Sequence, residues 1–392
     1  MVDLFRPYMS DAATQRVTDA LKYRPDGRLY IGQGALVDQF ELALKSALNS
    51  PSDVLTVNSG TSALSLAMYM AGVGPGKTVI ATPMTCSASN SPIITNFARI
   101  VWADIDPKTG LISPESVDDR VQWCLRHLGQ APAAIVAVDW GGRLCDYPAL
   151  IEAARVESYG RTHQVPIIQD AAHAFMAYDA NGASSAKSGA DFICYSFQAI
   201  KHLTTIDGGA LICKDAGNTE AARLLRWYGL DRTQGDSFRC SQDIQSPGFK
   251  FHMNDVAATI GLANINDTYD IVGKHRFNAN WYHEALKDAD GHAINLPYPD
   301  EGSAWWLYTI LVGNRDAFID FMKERGVECS QVHRRNDVHP GFVRRTYGHM
   351  PLPGVDYFAD HEVAIPVGWW LTEEDRKQVA AAVLEWDQIR RP

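Results

Sequence analysis

The sequence predicts an α/β domain built on a largely parallel sheet, followed by a smaller C-terminal α+β domain. Three observations carry this. Short β-rich segments alternate with helical patterns through the first half of the chain, strands crowd together from Ala190 onward, and the pattern turns helical after Asn254. Such alternation marks strands joined by crossover helices. The division is placed at residues 1–265 and 266–392. With 392 residues, 46% hydrophobic and 21% charged, the chain can fill two cores.

The expected strands are Val54–Val57, Val79–Thr82, Ile100–Ile105, Ala134–Trp140, Val165–Gln169, Asp191–Phe197 and Ala210–Cys213, each a short run rich in branched or aromatic residues. Between them, helices are expected at Thr61–Ala71, at a segment opened by Ser113-Pro114-Glu115, and at Pro148–Tyr159. Ser113 is a natural N-cap, and Pro114 suits the first helical position. No room for a helix exists between the last two strands, so a hairpin-like, mixed edge is predicted there. Beyond Asn254 the helical pattern runs through about Leu286. The final third then offers strands at Trp305–Val312 and Val327–Val332, a helix near Asp316–Arg325, and a terminal helix from Thr372, whose first turn is acidic.

Composition excludes several classes of function. A net charge of -10, with 36 Lys+Arg against 46 Asp+Glu, leaves no basic face for nucleic acid. No window approaches a membrane span, and Met1–Pro7 does not read as a signal peptide. The seven cysteines, Cys86, Cys124, Cys145, Cys194, Cys213, Cys240 and Cys329, are scattered without C-x-x-C pairing and read as small buried hydrophobes. A cytoplasmic location is the resulting expectation.

Chemistry is concentrated in three places. Asn58-Ser59-Gly60-Thr61-Ser62-Ala63 follows a strand and opens a helix; exposed N–H groups and hydroxyls there suit a phosphate, although an ordinary strand-to-helix turn reads the same way. Asp170, in Asp170-Ala171-Ala172-His173, ends a buried strand, where ligands of α/β sheets bind; it also suits an N-cap. Lys201 follows Ser196-Phe197-Gln198-Ala199-Ile200 in an apolar, hydroxyl-rich setting that would lower its pKa, and the Gly208-Gly209 pair permits a tight return into the next strand. A carboxylate, a hydroxyl and one amine at the ends of successive strands are what pyridoxal 5′-phosphate (PLP) requires. The amine bonds covalently to its aldehyde, and the carboxylate keeps the pyridine nitrogen protonated.

In this order, the motifs resemble the DegT/DnrJ/EryC1/StrS family of sugar aminotransferases. The resemblance extends through Gly72-Val73-Gly74-Pro75-Gly76, Asp104-Ile105-Asp106-Pro107, Leu224–Gly229 and Gly248–Asp255, and so covers most of the chain. It implies a fold type I PLP-dependent transferase with a seven-stranded, mostly parallel mixed sheet, active as a homodimer with shared sites. By motif position, Thr61, Ser62 and Ser196 resemble phosphate ligands, Asp170 the pyridine-nitrogen partner, His173 the neighbour of the ring hydroxyl, and Lys201 the lysine that carries the cofactor. Lys250 stands where relatives often carry an Asn that reaches the partner subunit's cofactor phosphate, with Asn254 nearby. Cys86, in Pro83–Ser89, occupies the position of a ring-stacking aromatic, and a thiol cannot reproduce a π-face.

The implied reaction moves an amino group from an amino acid, L-glutamate above all, to the ketone of a nucleotide-linked sugar, for amino-sugar and polysaccharide biosynthesis. His333, Arg334 and Arg335 resemble the late loop that approaches the sugar, the arginines suiting a diphosphate or a solvated turn equally. His202, where Asn is frequent, is a candidate substrate contact or a packing residue. Trp305, Trp306, Trp369 and Trp370 offer stacking surfaces or core contacts. A related dehydratase would carry histidine in place of Lys201, and a non-catalytic relative would lack one of Asp170, Ser196 and Lys201.

Overall fold

In a computed structural model the chain is described over residues 1–22, 32–158, 161–231, 241–348 and 350–390. Cys240 and Tyr159 lie outside the described residues. The strands are β1 (Val54–Val57), β2 (Thr78–Ala81), β3 (Arg99–Trp102), β4 (Ala134–Val138), β5 (Arg155–Ser158), β6 (Arg161–Gln164), β7 (Ile167–Asp170), β8 (Phe192–Ser196), β9 (Gly209–Cys213), β10 (Ile294–Asn295), β11 (Tyr308–Val312) and β12 (Glu362–Ile365). The longer helices are α1 (Asp11–Ala20), α2 (Ala35–Ala47), α3 (Gly60–Met70), α4 (Ser87–Thr95), α5 (Pro114–Leu128), α6 (Tyr147–Ala153), α7 (Ala216–Leu225), α8 (Asp255–Asn264), α9 (Thr268–Leu286), α10 (Arg315–Glu324), α11 (Pro340–Val343), α12 (Pro353–His361) and α13 (Glu373–Arg390).

Seven strands form one sheet in the order β1-β9-β8-β7-β4-β2-β3. β9 alone runs against its neighbours β8 and β1, which is the mixed edge predicted from the short Ser196-to-Ala210 connection. The other pairs are parallel, and their strands are buried throughout apart from Arg99 and Ser196 at two ends. Parallel strands covered on both faces must be apolar along their length. Accordingly, Ile80, Val101, Ile135 and Ile167 pack on one face with Phe40 and Leu44 of α2. Leu55, Val79, Ile100 and Val136 pack on the other with Leu66 and Ala67 of α3.

A second sheet, β10-β11-β12, packs with α9, α10 and α13 around Tyr282, Tyr308, Phe318 and Trp386. The N-terminus joins this layer: Val2 bridges Val327, and the Leu4 N–H donates to Glu328 at 2.9 Å. Ser113 caps α5 as expected, accepting from the Ser116 N–H. Thr372 caps α13 by accepting from the Asp375 N–H.

Two elements differ from expectation. The helix expected at Pro148–Tyr159 stops at Ala153, and Arg155–Ser158 pairs antiparallel with Arg161–Gln164. Val327–Val332 is no strand; it makes isolated bridges at Val327 and Ser330, and Val332 adopts φ +54°, which breaks an extended run. Among the described residues no helix is long and apolar enough to cross a membrane.

Candidate active site

Parallel strands deliver their carboxyl ends to one edge of the sheet, and the chemistry-bearing residues gather there. Asp170 ends β7, Ser196 ends β8, and Asn58–Ser62 leave β1, while the reversed β9 starts at the same edge with Gly209. Between them lies a cavity of about 330 Å³ lined by Thr61, Cys86, Asp170, His173, Ser196 and Lys201, with Trp306 and His333 closing it from the C-terminal layer. A larger cleft of about 770 Å³ runs beside Asp104, Tyr298 and Tyr357, away from these strand ends.

Asp170 is fixed on both oxygens. Ser89 Oγ donates to Oδ2 at 2.6 Å, and the Ala172 N–H donates to Oδ1 at 3.1 Å. Burial raises its pKa, while Ser89, Ala172 and the nearby Lys201 oppose that rise. Lys201 experiences the reverse. Burial lowers its amine to about 7, against the opposing pull of Asp170 and Cys86. Its Nζ sits 3.4 Å from the centroid of the Trp306 ring. Trp306 is itself pinned by its Nε1–H to the Ile200 carbonyl at 3.0 Å.

His173 stacks on Trp306 with centroids 3.9 Å apart. Its Nδ1 accepts the Gly141 N–H at 3.3 Å, so its proton resides on Nε2. His333 lies nearly parallel to His173 at 5.8 Å, and its buried Nε2 has no hydrogen-bond partner among the described residues. Burial, then the Lys201 charge, lowers His333 to about 4 and holds His173 well below the usual imidazole range.

The opposite end of the cavity is a cradle at the start of α3. A Cβ on Gly60 would stand 2.8 Å from Ser196 Cβ, and one on Gly209 would stand 2.6 Å from the Gly60 nitrogen. Glycine is therefore required for close approach, which brings the Ser196 hydroxyl against a helix N-terminus. Gly208 and Gly209 serve contact rather than an unusual turn; neither has positive φ. A dianion is favoured at such a position.

Not every predicted residue faces this cavity. Ser62 is turned into the cap of its own helix, donating to Asn58 Oδ1 at 2.6 Å beside Ser59 Oγ at 2.9 Å. Small hydroxyls at a helix start satisfy the helix first. His202 is buried against His275 with centroids 4.6 Å apart, instead of lining the cavity. Arg335 is committed to Asp337 and Asp356, at 2.7 and 2.5 Å. Arg334 is exposed beside His333 and makes no ion pair among the described residues. Asn254 caps α8 through the Ala257 N–H, and Lys250 lies over the Trp227 ring at 4.1 Å; neither lines the cavity of its own chain. Nothing local in the sequence singles out Ser89 or Thr85, and Trp306 reads as either a stacking surface or a core contact.

An amine of low proton affinity, a buried carboxylate held by two donors, and a helix-terminus cradle at the far end match the three parts of PLP: aldehyde, ring nitrogen and phosphate. Comparison with known proteins agrees. The sequence profile of the DegT/DnrJ/EryC1/StrS aminotransferase family matches residues 8–384. The chain is 27% identical over 393 residues to the spore coat polysaccharide biosynthesis protein SpsC of Bacillus subtilis (strain 168), covering 96% of this chain and 95% of that one. Among solved structures it is similar to the sugar aminotransferase CalS13 from Micromonospora echinospora, with 32% identity, TM-score 0.86, and 98% and 100% of the two chains covered. AtS13 from Actinomadura melliaura shares 34% identity, TM-score 0.87, and 98% of each chain. The family resemblance seen in the motifs thus extends over nearly the whole sequence and fold: the chain belongs to the DegT/DnrJ/EryC1/StrS aminotransferase family and is a PLP-dependent aminotransferase.

Proposed function

We propose that this enzyme transfers an amino group from an amino acid, L-glutamate above all, to the ketone of a nucleotide-linked keto sugar, serving amino-sugar and polysaccharide biosynthesis. The observation that carries the reading is the meeting of Lys201, Asp170 and the Gly60–Ser196 cradle around one cavity. Bound PLP supplies an aldehyde that takes up amines and a ring that withdraws electrons from the bond to be broken.

The residues divide the work by position. Lys201 Nζ, with a pKa of about 7, is available as a nucleophile at neutral pH. The same atom would accept the proton from the donor's carbon and return it, serving both half-reactions. Asp170, oriented by Ser89 and Ala172, holds the proton on the pyridine nitrogen. The N–H groups at the start of α3, with Thr61 and Ser196, bind the phosphate. His173, with its proton on Nε2, would donate to the ring hydroxyl, and His333 Nε2 would accept from a sugar hydroxyl. Arg334 meets the diphosphate of the acceptor.

The reading includes a homodimer in which Lys250 and Asn254 reach the partner's cofactor phosphate. Both lie off the cavity of their own chain, as residues serving a neighbour would. Lys201 lines the cavity while His202 packs on His275, so the dehydratase alternative, with histidine as the working residue, gains no support. The test is a screen of keto-sugar nucleotides with ¹⁵N-glutamate. Nitrogen entering a sugar nucleotide is expected; loss of water from the sugar without label would refute the transfer.

A further inference from the structure

The loop at residues 330–339 carries His333 into the cavity, and three residues further on it buries an asparagine completely. Asn336 is 1% exposed. Its Nδ2 donates to the Thr85 carbonyl at 2.8 Å, its Oδ1 accepts from Asn90 Nδ2 at 3.0 Å, and its backbone N–H donates to the Pro83 carbonyl at 2.8 Å. Asn90 Nδ2 also donates to the Thr82 carbonyl at 3.0 Å. One residue from the C-terminal layer thus grips the chain from the end of β2 into α4 at three points, Pro83, Thr85 and Asn90. The loop is braced from behind, because Arg335 chelates Asp337 with two bonds of 2.7 Å and reaches Asp356 of α12 at 2.5 Å.

The gripped segment leads to Asp170. Ser89 Oγ lies 2.6 Å from Asp170 Oδ2 and 2.8 Å from Thr85 Oγ1. A serine has one hydroxyl proton, and an ionised carboxylate only accepts, so Ser89 donates to Asp170 and must accept from Thr85. The direction of the relay is therefore fixed: Thr85 to Ser89 to Asp170. Thr85, Ser89 and Asn90 are all buried, so losing one partner leaves a buried polar group without its hydrogen bond.

We infer that Asn336 is a positioning residue that locks the substrate-facing loop onto the cofactor wall and, through Thr85 and Ser89, fixes the carboxylate of Asp170. The inference rests on the reading of Asp170 as the pyridine partner. It makes the approach of His333 and the orientation of Asp170 parts of one connected unit, so that the substrate loop and the cofactor site are set together.

The test compares the wild type with Asn336→Asp, which keeps the acceptor for Asn90 but loses the donor to Thr85, with Asn336→Ala, with Thr85→Val, and with each pairing of Asn336 and Thr85 variants. Cofactor-free proteins are titrated with PLP, the visible circular dichroism of bound PLP is recorded, and melting is followed without cofactor. Each single change is expected to weaken PLP binding about 5- to 20-fold, the scale of leaving one buried polar group without its partner. Their dichroism should change in the same sense. The pairs should lose much less than the product of the singles, because Asn336 acts on the hydroxyl relay only through the Thr85 backbone it holds, and without the Thr85 hydroxyl that hold has nothing to set. Independent, multiplying losses would overturn the inference, as would wild-type affinity and dichroism in Asn336→Asp. If Asn336→Ala does not fold, the Asn336→Asp and Thr85→Val pair decides the matter alone. Failure of the wild type to take up PLP would instead bring down the underlying reading of Asp170 along with the relay.

Discussion

Replacing Trp306 by leucine removes the surface on which the Lys201 ammonium rests, and the consequence follows from the geometry. Nζ lies 3.4 Å from the indole centroid. A desolvated cation over an indole face gains about 0.5–2 kcal/mol, which at about 1.36 kcal/mol per unit is ~0.4–1.5 pKa units in favour of the protonated amine. Burial, against the attraction of Asp170 and Cys86, leaves the amine at about 7. His173 and His333 also face the amine, and both are held neutral there. Trp306→Leu should therefore lower the midpoint by about 0.4–1.5 units, and Trp306→Phe by less. Carbamylation of the cofactor-free protein with cyanate, followed by mass spectrometry of the Lys201 peptide across pH, reads that midpoint directly. A wild-type midpoint near the ordinary lysine value, or an upward move in Trp306→Leu, would refute the reasoning.

The same depressed pKa predicts a pH-dependent stability. Because the folded amine titrates at about 7 and the unfolded one near 10.5, the unfolded chain binds the extra proton between these values, so the Lys201 contribution to stability rises with pH across that window. Lys201→Met should accordingly be more stable than wild type at neutral pH without cofactor, an advantage that shrinks toward pH ~10 in denaturant titrations; a constant difference would contradict it. Ser89→Ala leaves Asp170 Oδ2 without its 2.6 Å donor. PLP affinity should fall about tenfold or more, measured by absorbance titration, with Ser89→Thr retaining most of it. Gly60→Ala places a methyl 2.8 Å from Ser196 Cβ. The cradle must open, costing about 1–3 kcal/mol, and PLP binding should weaken in the same absorbance titration; wild-type affinity would contradict the cradle.

Much of this molecule was legible in its sequence because buried parallel strands announce themselves as apolar runs. β1, β4 and β9 fall within about a residue of the expected starts, and Ser113 and Thr372 cap the helices they were expected to open. The hairpin of β5 and β6 was hidden by helix-favouring neighbours in Ala153-Ala154-Arg155-Val156-Glu157, where a two-residue alternation is too short to outweigh propensity. Val327–Val332 looks like a strand, yet it makes only isolated bridges, Val327 to Val2 and Ser330 to Ala364, rather than a ladder.

The site was legible where its residues end strands and opaque where tertiary contact decides. Asp170, Ser196 and Lys201 follow apolar runs directly. Ser89 lies 81 residues from the carboxylate it orients, and only the order β7-β4-β2 brings the two together. Trp306 and Asn336 come from beyond the large sheet altogether, and nothing local distinguishes them from core residues. Ser62 shows the reverse case: motif position marks it as a phosphate ligand, while local capping claims its hydroxyl.

The central claim is that Lys201 is the residue to which PLP attaches. Wild-type protein loaded with PLP, reduced with borohydride and digested should carry the cofactor mass on the peptide containing Lys201, and Lys201→Ala should carry none. Label on another lysine, or an unchanged yield of label in Lys201→Ala, would contradict the account.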